Sequence, residues 1–436
     1  MLVGRKGVGK SAYNAKLQSI SEITNDFITE QINLGDFEYS TFAKGKSDNA
    51  ILGTKKYFES WEFILLFSIY NVFSKIEMFD DSAFVEIEEL LGKFGFYFND
   101  TFKKCVTKVS KIKLGTNVGV FDAAYEAEFG TKPFSFSDRI NALIQKMLDN
   151  LKEIHIEQKI YMLIDGVDDI LRFKKSQLDI ISSLIRTIDT LNEYFVRERI
   201  DVKIIIFMRE DILSNVTDPD LNKITRDGAV NLSWSDDTND LKNIVDLRFK
   251  LSDKEGEFNR TWYNIFPNKI KESDSWEYLL DHTLYKPRDV LQFLVVCQKL
   301  YSNKESLSYS EMTNALKTYS RDYFIEEMKN ELSGFSNDDL IILLPSLFQR
   351  IGSRSFYFNE LLRIANEQSS GQKYSEQDIK YLLYLLFQSG YVGQLVVGNR
   401  GKTSVVFKYR NPNANVDYSQ KFISHRGLHK GLGIIV

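Results

Sequence analysis

Two cysteines in 436 residues, Cys105 and Cys297, are too few and too widely spaced for a disulfide framework or a zinc ribbon. Their scarcity fits a reducing compartment, and a cytoplasmic location is expected. No apolar run reaches the roughly 18 residues that a membrane span needs. The nearest, Trp61 to Phe73, contains Glu62 and reads as a buried helix. No signal peptide is expected, because motif residues begin within a few positions of Met1. Repeats and low-complexity tracts are lacking too. What remains is a globular composition, 43% hydrophobic and 27% charged, long enough for two or three domains.

The net charge of −4 conceals an asymmetry. From Gly390 onward, Arg400, Lys402, Lys408, Arg410, Lys421, Arg426 and Lys430 face a single acid, Asp417. That segment carries about +6 and the remainder about −10.

Short β-branched runs alternate with helical stretches over the first 233 residues, the pattern of a parallel α/β sheet. Strands are expected at Met1–Val3, Phe27–Leu34, Lys159–Asp165, Val202–Met208 and Ala229–Ser233. A helical insertion fills roughly 57–151, and 234–334 reads as amphipathic helices without strands. From 335 to 436, helical periods at Asn337–Arg350, Phe358–Gln368 and Ser375–Ser389 precede strands at Tyr391–Val397 and Thr403–Arg410. Three helices and a hairpin in that order describe a winged helix. The expected fold is therefore α/β, a parallel-sheet P-loop NTPase domain followed by a helical lid and a winged-helix domain. Only Met1, Leu2 and Val3 precede the phosphate motif, which predicts either a truncated start or an unusually short first strand.

Gly4-Arg5-Lys6-Gly7-Val8-Gly9-Lys10-Ser11 matches GxxxxGK[ST] in full. Glycines let the backbone curl until successive N–H groups face a β-phosphate, where the following helix, opening at Ala12, adds positive potential. Lys10 is placed to reach the β- and γ-phosphates and Ser11 to ligate magnesium. ATP or GTP with Mg2+ is the expected cofactor pair. The apolar strand Lys159–Asp165 ends in acids. Asp165 at its carboxyl end would hold magnesium through water. Asp168 and Asp169, just beyond, are candidates to orient or deprotonate the attacking water.

AAA+ ATPases usually place the catalytic acid directly after the magnesium Asp, whereas here Gly166 follows and the acids lie three and four positions on. That spacing resembles the STAND class of signalling ATPases and its NACHT branch. Ile204-Ile205-Ile206-Phe207-Met208-Arg209 is similar to the STAND strand ending in arginine, which implies that Arg209 senses the γ-phosphate. Lys286-Pro287-Arg288-Asp289 resembles the lid motif of such proteins, which implies a nucleotide contact for Arg288. Gly-Arg-Lys-Gly at the loop, Ser60-Trp61-Glu62, Met208-Arg209-Glu210-Asp211 and His425-Arg426-Gly427-Leu428 together resemble a bacterial family of STAND-like ATPases. The resemblance implies a slow ATPase switch, homo-oligomerisation or a protein partner triggered by nucleotide, and a setting in antiviral defence.

Simpler roles compete. Arg209 could pair with Glu210 or a neighbour, Arg288 could merely start a helix, and Arg226 reads as an exposed surface arginine. The cations Arg400, Lys402, Lys408 and Arg410 would lie on one wing, suited to DNA phosphates or to a clamp on the ATPase core. A DNA-binding ATPase of the loader or initiator type is thus the alternative function. His425 and His429, four apart, lack a third metal ligand, and Gly427 and Gly431 weaken their helix. Phe94, Phe96, Tyr97 and Phe98 alternate partly like a strand and read as packing.

Overall fold

A computed structural model of the chain describes residues 1–35, 37, 42, 57–76, 81–115, 119–133, 135–167, 175–216, 218, 220–235, 238–252, 260–369, 373–397 and 403–434. They form two units, Met1–Arg5 with Lys10–Leu232, and Lys6–Gly9 with Ser233–Val436.

The first unit is built on five parallel strands: β1 (Leu2–Gly4), β2 (Phe27–Asn33), β3 (Lys159–Asp165), β4 (Val202–Arg209) and β5 (Val230–Asn231). Their order is β2-β3-β4-β1-β5. The α/β expectation is met, and β1 has three residues. β3 and β4 read as continuous apolar runs because both of their faces are covered; Ile160, Met162, Leu163, Ile164, Ile204, Ile206, Phe207 and Met208 are all buried. Helix α1 (Lys10–Thr24) is the next element after β1, and between β2 and β3 the described residues include α2 (Phe58–Phe73), α3 (Ser82–Lys93), α4 (Phe102–Lys113), α5 (Gly119–Phe129) and α6 (Phe136–Leu151).

Helix α2 is apolar all round, which requires burial on every side. Trp61, Phe63, Ile64, Leu65, Leu66, Phe67, Ile69 and Tyr70 are each at most 1% exposed. Its two polar anchors are satisfied: Trp61 Nε1 donates to the Ile180 carbonyl at 3.1 Å and the Tyr70 hydroxyl to the Met147 carbonyl at 2.7 Å. Burial, reinforced by Glu59, pushes the Glu62 carboxyl up to about 7. The aromatic run after α3 is a loop rather than a strand. Phe94, Phe96 and Phe98 turn inward, with Phe96 against Phe63 and Phe98 against Phe84, while Tyr97 faces outward. Helix α6 begins with a capping box, in which Ser135 and Asp138 satisfy each other's backbone N–H groups.

The remaining helices among the described residues of this unit are α7 (Lys175–Glu198), α8 (Glu210–Asn215) and α9 (Leu221–Gly228). Buried Asp218 fastens the segment before α9 to α7, accepting from Ser182 Oγ and Arg186 Nε, both at 2.6 Å. The Arg186 bond, aided by Ser182, holds its carboxyl down at about 2.

The second unit is mainly helical. It contains α10 (Thr238–Ser252), α11 (Trp262–Ile265), α12 (Ser275–Leu280), α13 (Pro287–Leu300), α14 (Tyr309–Tyr319), a π-helical turn (Ser320–Phe324) and α15 (Ile325–Leu332). A two-residue hairpin, β6 (Lys269–Ile270) with β7 (Ser273–Asp274), interrupts a stretch expected to lack strands. Then come α16 (Asp338–Ile351), β8 (Ser355–Phe356), α17 (Phe358–Gln368), α18 (Glu376–Ser389), β9 (Val392–Val397), β10 (Thr403–Val406), β11 (Lys421–Ser424) and α19 (Arg426–Leu432). The four strands form an antiparallel sheet in the order β10-β9-β11-β8. Four of the expected elements appear nearly as read, the three helices and the strand ending at Val397, whereas β8 and β11 were not anticipated. The strand expected at Thr403–Arg410 stops at Val406. One continuous core joins residues on both sides of Gly334, from Leu241 through Tyr319 and Leu382 to Leu428.

The helix expected to be weakened by Gly427 and Gly431 forms, and those glycines explain how it packs. A Cβ at Gly427 would stand 2.5 Å from the Phe324 ring, and one at Gly431 would stand 2.7 Å from Ser320 Oγ. Ser320 Oγ donates to the Gly427 carbonyl and accepts from the Gly431 N–H at 2.9 Å. The π-helical turn thus grips α19 through close backbone approach.

Three histidines of this unit, His282, His425 and His429, are buried. Burial drives the pKa of His282 down to about 4, although Nδ1–H donates to the Tyr278 carbonyl at 2.7 Å, with Lys430 and Arg426 adding to the effect. Burial also lowers His425 and His429. The unfolded chain, whose histidines titrate near 6.5, binds more protons than the folded unit below that pH. Stability is therefore complete above about pH 6.5 and is lost as pH falls toward 4. His282 alone should contribute about 1 kcal/mol of loss between pH 7 and 5.5. Urea midpoints of the second unit measured across that range test this; a flat profile contradicts it.

Candidate nucleotide site

The loop Gly4–Lys10 joins β1 to α1, so a strand feeds the phosphate motif and a helix N-terminus follows it. Gly7 and Gly9 adopt φ of +85° and +101°. Lys10 is buried, and its Nζ donates to the carbonyls of Gly4 at 3.0 Å and Arg5 at 3.2 Å. Ser11 and Ala12 follow in the first turn of α1 and are exposed.

Asp165 ends β3 opposite Asn33 of β2. Its Oδ1 accepts from the Gly166 N–H at 2.8 Å, and Oδ2 accepts from Asn14 Nδ2 at 3.4 Å. Asn14 is 2% exposed and lies one helical turn beyond Lys10. Its own Oδ1 accepts from Gln18, which also donates to Gln31 of β2. Asp165, Asn14, Gln18 and Gln31 thus form one polar chain, and Asn14, on the same helix as Lys10 and Ser11, is the member that sequence reading missed. The available signal was position: four after Lys10 on a helix means the same face. Ser11 and Asp165 are the oxygen donors that suit Mg2+ held partly through water.

Gly166 has φ of +81°, and a Cβ there would fall 2.1 Å from Asn33 Oδ1 and 2.7 Å from the Gly35 nitrogen. Only glycine fits. Asp168 and Asp169 lie outside the described residues, as do Arg400 and Lys402.

Arg209 pairs in register with Gly4 and is buried. It makes a two-pronged ion pair with Asp211, through Nε at 2.9 Å and through Nη2, rather than with Glu210. Arg226 is exposed and bonds Asp227 at 2.9 Å.

Lys6–Gly9 group with the second unit. There Lys6 pairs with Glu327 at 3.0 Å, and the Val8 carbonyl accepts from Trp234 Nε1 at 2.8 Å. The Gly7 carbonyl faces the Arg288 N–H at 3.3 Å, and the Arg288 side chain lies against Gly7. Pro287 opens α13, as read, and Arg288 stands 3.7 Å from Glu327. Asp289 is buried, accepting from Leu284 N–H and the Tyr323 hydroxyl, and Lys286 forms a buried pair with Glu331 at 2.8 Å.

At the basic end, Lys408 donates to the Ala414 carbonyl at 3.0 Å. Arg410 bonds Asp281 at 3.3 Å and the Tyr285 hydroxyl at 2.7 Å, stacking over the Tyr285 ring. His425 Nδ1 accepts from Gly427 N–H, which leaves Nε2–H to donate to Tyr409. No metal-ligand cluster occurs among the described residues. No helix among them is long and apolar enough to cross a membrane.

Residues 239–326 match a family model described as the FunZ-associated C-terminal helical domain. Over its full length the chain is 21% identical to the "Putative transposon gamma-delta 80.3 kDa protein" of Escherichia coli (strain K12). It spans 62% of the length of that relative. A solved structure, Cdc6p from Pyrobaculum aerophilum, is similar at 12% identity with a TM-score of 0.33, over 93% of this chain and 82% of that one.

Proposed function

We propose that the chain binds Mg2+-ATP at the Gly4–Ser11 loop, hydrolyses it slowly, and acts as a nucleotide-dependent switch of the STAND-like kind. The observation that carries this reading is the bond from Asn14, on the helix that begins with Lys10 and Ser11, to Asp165 at the end of β3. It sets a buried lysine, a hydroxyl and a carboxylate at the start of one helix and the carboxyl end of a parallel strand, where α/β sheets bind ligands. Lys10 would turn from loop carbonyls to phosphate oxygens; Ser11 and Asp165 would hold magnesium, which neutralises charge on the phosphates when bound. Arg288, against Gly7, is suited to respond to what the loop holds. Arg209 would have to exchange Asp211 for a γ-phosphate.

Asp168 is the preferred water-orienting acid, with Asp169 second. Asp168→Asn should keep ATP affinity and slow turnover by about 100-fold or more, because orientation and proton acceptance act on the chemical step. Single-turnover hydrolysis by both variants tests it; unchanged rates in both would make the acids structural.

The transposon in the printed name of the E. coli relative keeps DNA binding as the second reading, with residues 335–436 as a winged helix. Against it, the exposed face of α18 offers Glu376, Asp378, Tyr381 and Tyr384. Mass measurement should show assembly on adding ATP without DNA. Fluorescence anisotropy with duplex DNA should show weak binding. Tight binding that falls steeply with salt would reverse the preference.

A further inference from the structure

Beyond the nucleotide loop, the second unit holds a cavity of about 190 Å³ beside β10 and α19. Asp281, Arg354, Phe407, Tyr409, Arg410 and Arg426 are among its walls. Three guanidiniums and one carboxylate therefore line the same space, and two of the three pair with that carboxylate. Arg426 Nη1 reaches Asp281 Oδ2 at 2.5 Å and Arg410 Nη2 reaches Oδ1 at 3.3 Å. Arg354, from the segment before β8, is exposed, and its guanidinium has no ion-pair partner among the described residues.

The histidines in the wall, His425 and His429, add no positive charge near neutral pH. His425 uses both ring nitrogens in hydrogen bonds, and burial disfavours protonation of each ring. The cavity thus carries an excess of about two positive charges. Each guanidinium has five N–H donors, and one carboxylate cannot occupy those of three. A dianion with three terminal oxygens matches both the charge and the donors left over. Val405, Phe407, Tyr409 and Ile423 supply an apolar side to the same space. The volume equals that of about six liquid waters, room for one phosphoryl group and a short organic remainder.

We propose that this cavity binds a small phosphate monoester, gripped by Arg354, Arg410 and Arg426 and packed against Phe407 and Tyr409. The site is separate from the phosphate loop and does not depend on ATP binding there. A ligand seated on Arg410 and Arg426 would compete with Asp281 for them.

The test uses the full chain carrying Lys10→Ala, so that the phosphate loop does not contribute. Calorimetry at low ionic strength should show one equivalent of phenyl phosphate bound, and inorganic phosphate bound more weakly because it lacks the ring. Arg354→Ala should weaken phenyl phosphate by about 10- to 100-fold, the range expected for lost charge-assisted hydrogen bonds. Arg354→Lys should recover part of that loss. Since Arg354 is exposed, its variants should melt with the parent protein, which thermal denaturation checks. No binding of either probe, or binding indifferent to Arg354→Ala, overturns the proposal. So does a short DNA duplex that binds the same site more tightly than phenyl phosphate, which would make it a backbone contact.

Discussion

Lys10→Ala should reduce Mg2+-ATP affinity by at least about 100-fold, the loss expected when two charge-assisted hydrogen bonds to phosphate disappear. The Lys10 ammonium is buried, and its Nζ donates to the carbonyls of Gly4 and Arg5. Those bonds hold a desolvated charge where, on the proposed function, phosphate oxygens would take the place of the carbonyls. Alanine removes the charge and its desolvation cost together, so the fold should survive while binding fails. Lys10→Arg should not restore affinity, because a planar fork does not fit where a point charge is needed. Calorimetry with ATP and Mg2+ measures this directly. Wild-type affinity in Lys10→Ala would mean that the loop is not the nucleotide site.

Gly166→Ala should destabilise the first unit by about 2–5 kcal/mol, combining left-handed backbone strain with overpacking. Asn33 Oδ1, which the new Cβ would meet at 2.1 Å, already accepts from the Gly35 N–H at 2.8 Å. Moving Asn33 aside would break that bond, and the Gly35 nitrogen itself stands only 2.7 Å from the Cβ. The urea midpoint of the first unit should fall while that of the second is unchanged. Adding Asn33→Ala should relieve part of the cost, so the two substitutions should be non-additive. Full additivity would show that Asn33 is not the obstacle. The same crowding explains why no acid directly follows Asp165: a side chain at 166 would collide with the neighbouring strand.

The long periodic elements were legible in the sequence because burial imposes a pattern over many residues. Strand β3 was read to the residue and α17 likewise, since an apolar run and a helical repeat each have clear ends. The two-residue strands β6, β7 and β8 span too little chain to show alternation. Strand β11 has four residues and depends on pairing with β9 and β8, partners distant in sequence. Helix α19 was misjudged for another reason. Glycine lowers helix propensity locally, but here its missing side chain is what lets the helix dock on Ser320 and Phe324. For the candidate site, the loop motif singled out Lys10 and Ser11, and the acidic end of an apolar strand singled out Asp165. Asn14 escaped because a single amide has no motif, and only the fold shows that it meets a carboxylate.

The order of strands in the first unit also dictates when that unit can form. Strand β1 lies between β4 and β5, and Gly4 pairs in register with Arg209. About two hundred residues must therefore leave the ribosome after β1 before it has either neighbour. At roughly 5–20 residues per second this is a wait on the order of ten seconds or more. Until then the phosphate loop hangs from an unpaired strand with no β3 acid set across from it. A nascent chain stopped before β4, which ends at Arg209, should therefore fail to retain ATP.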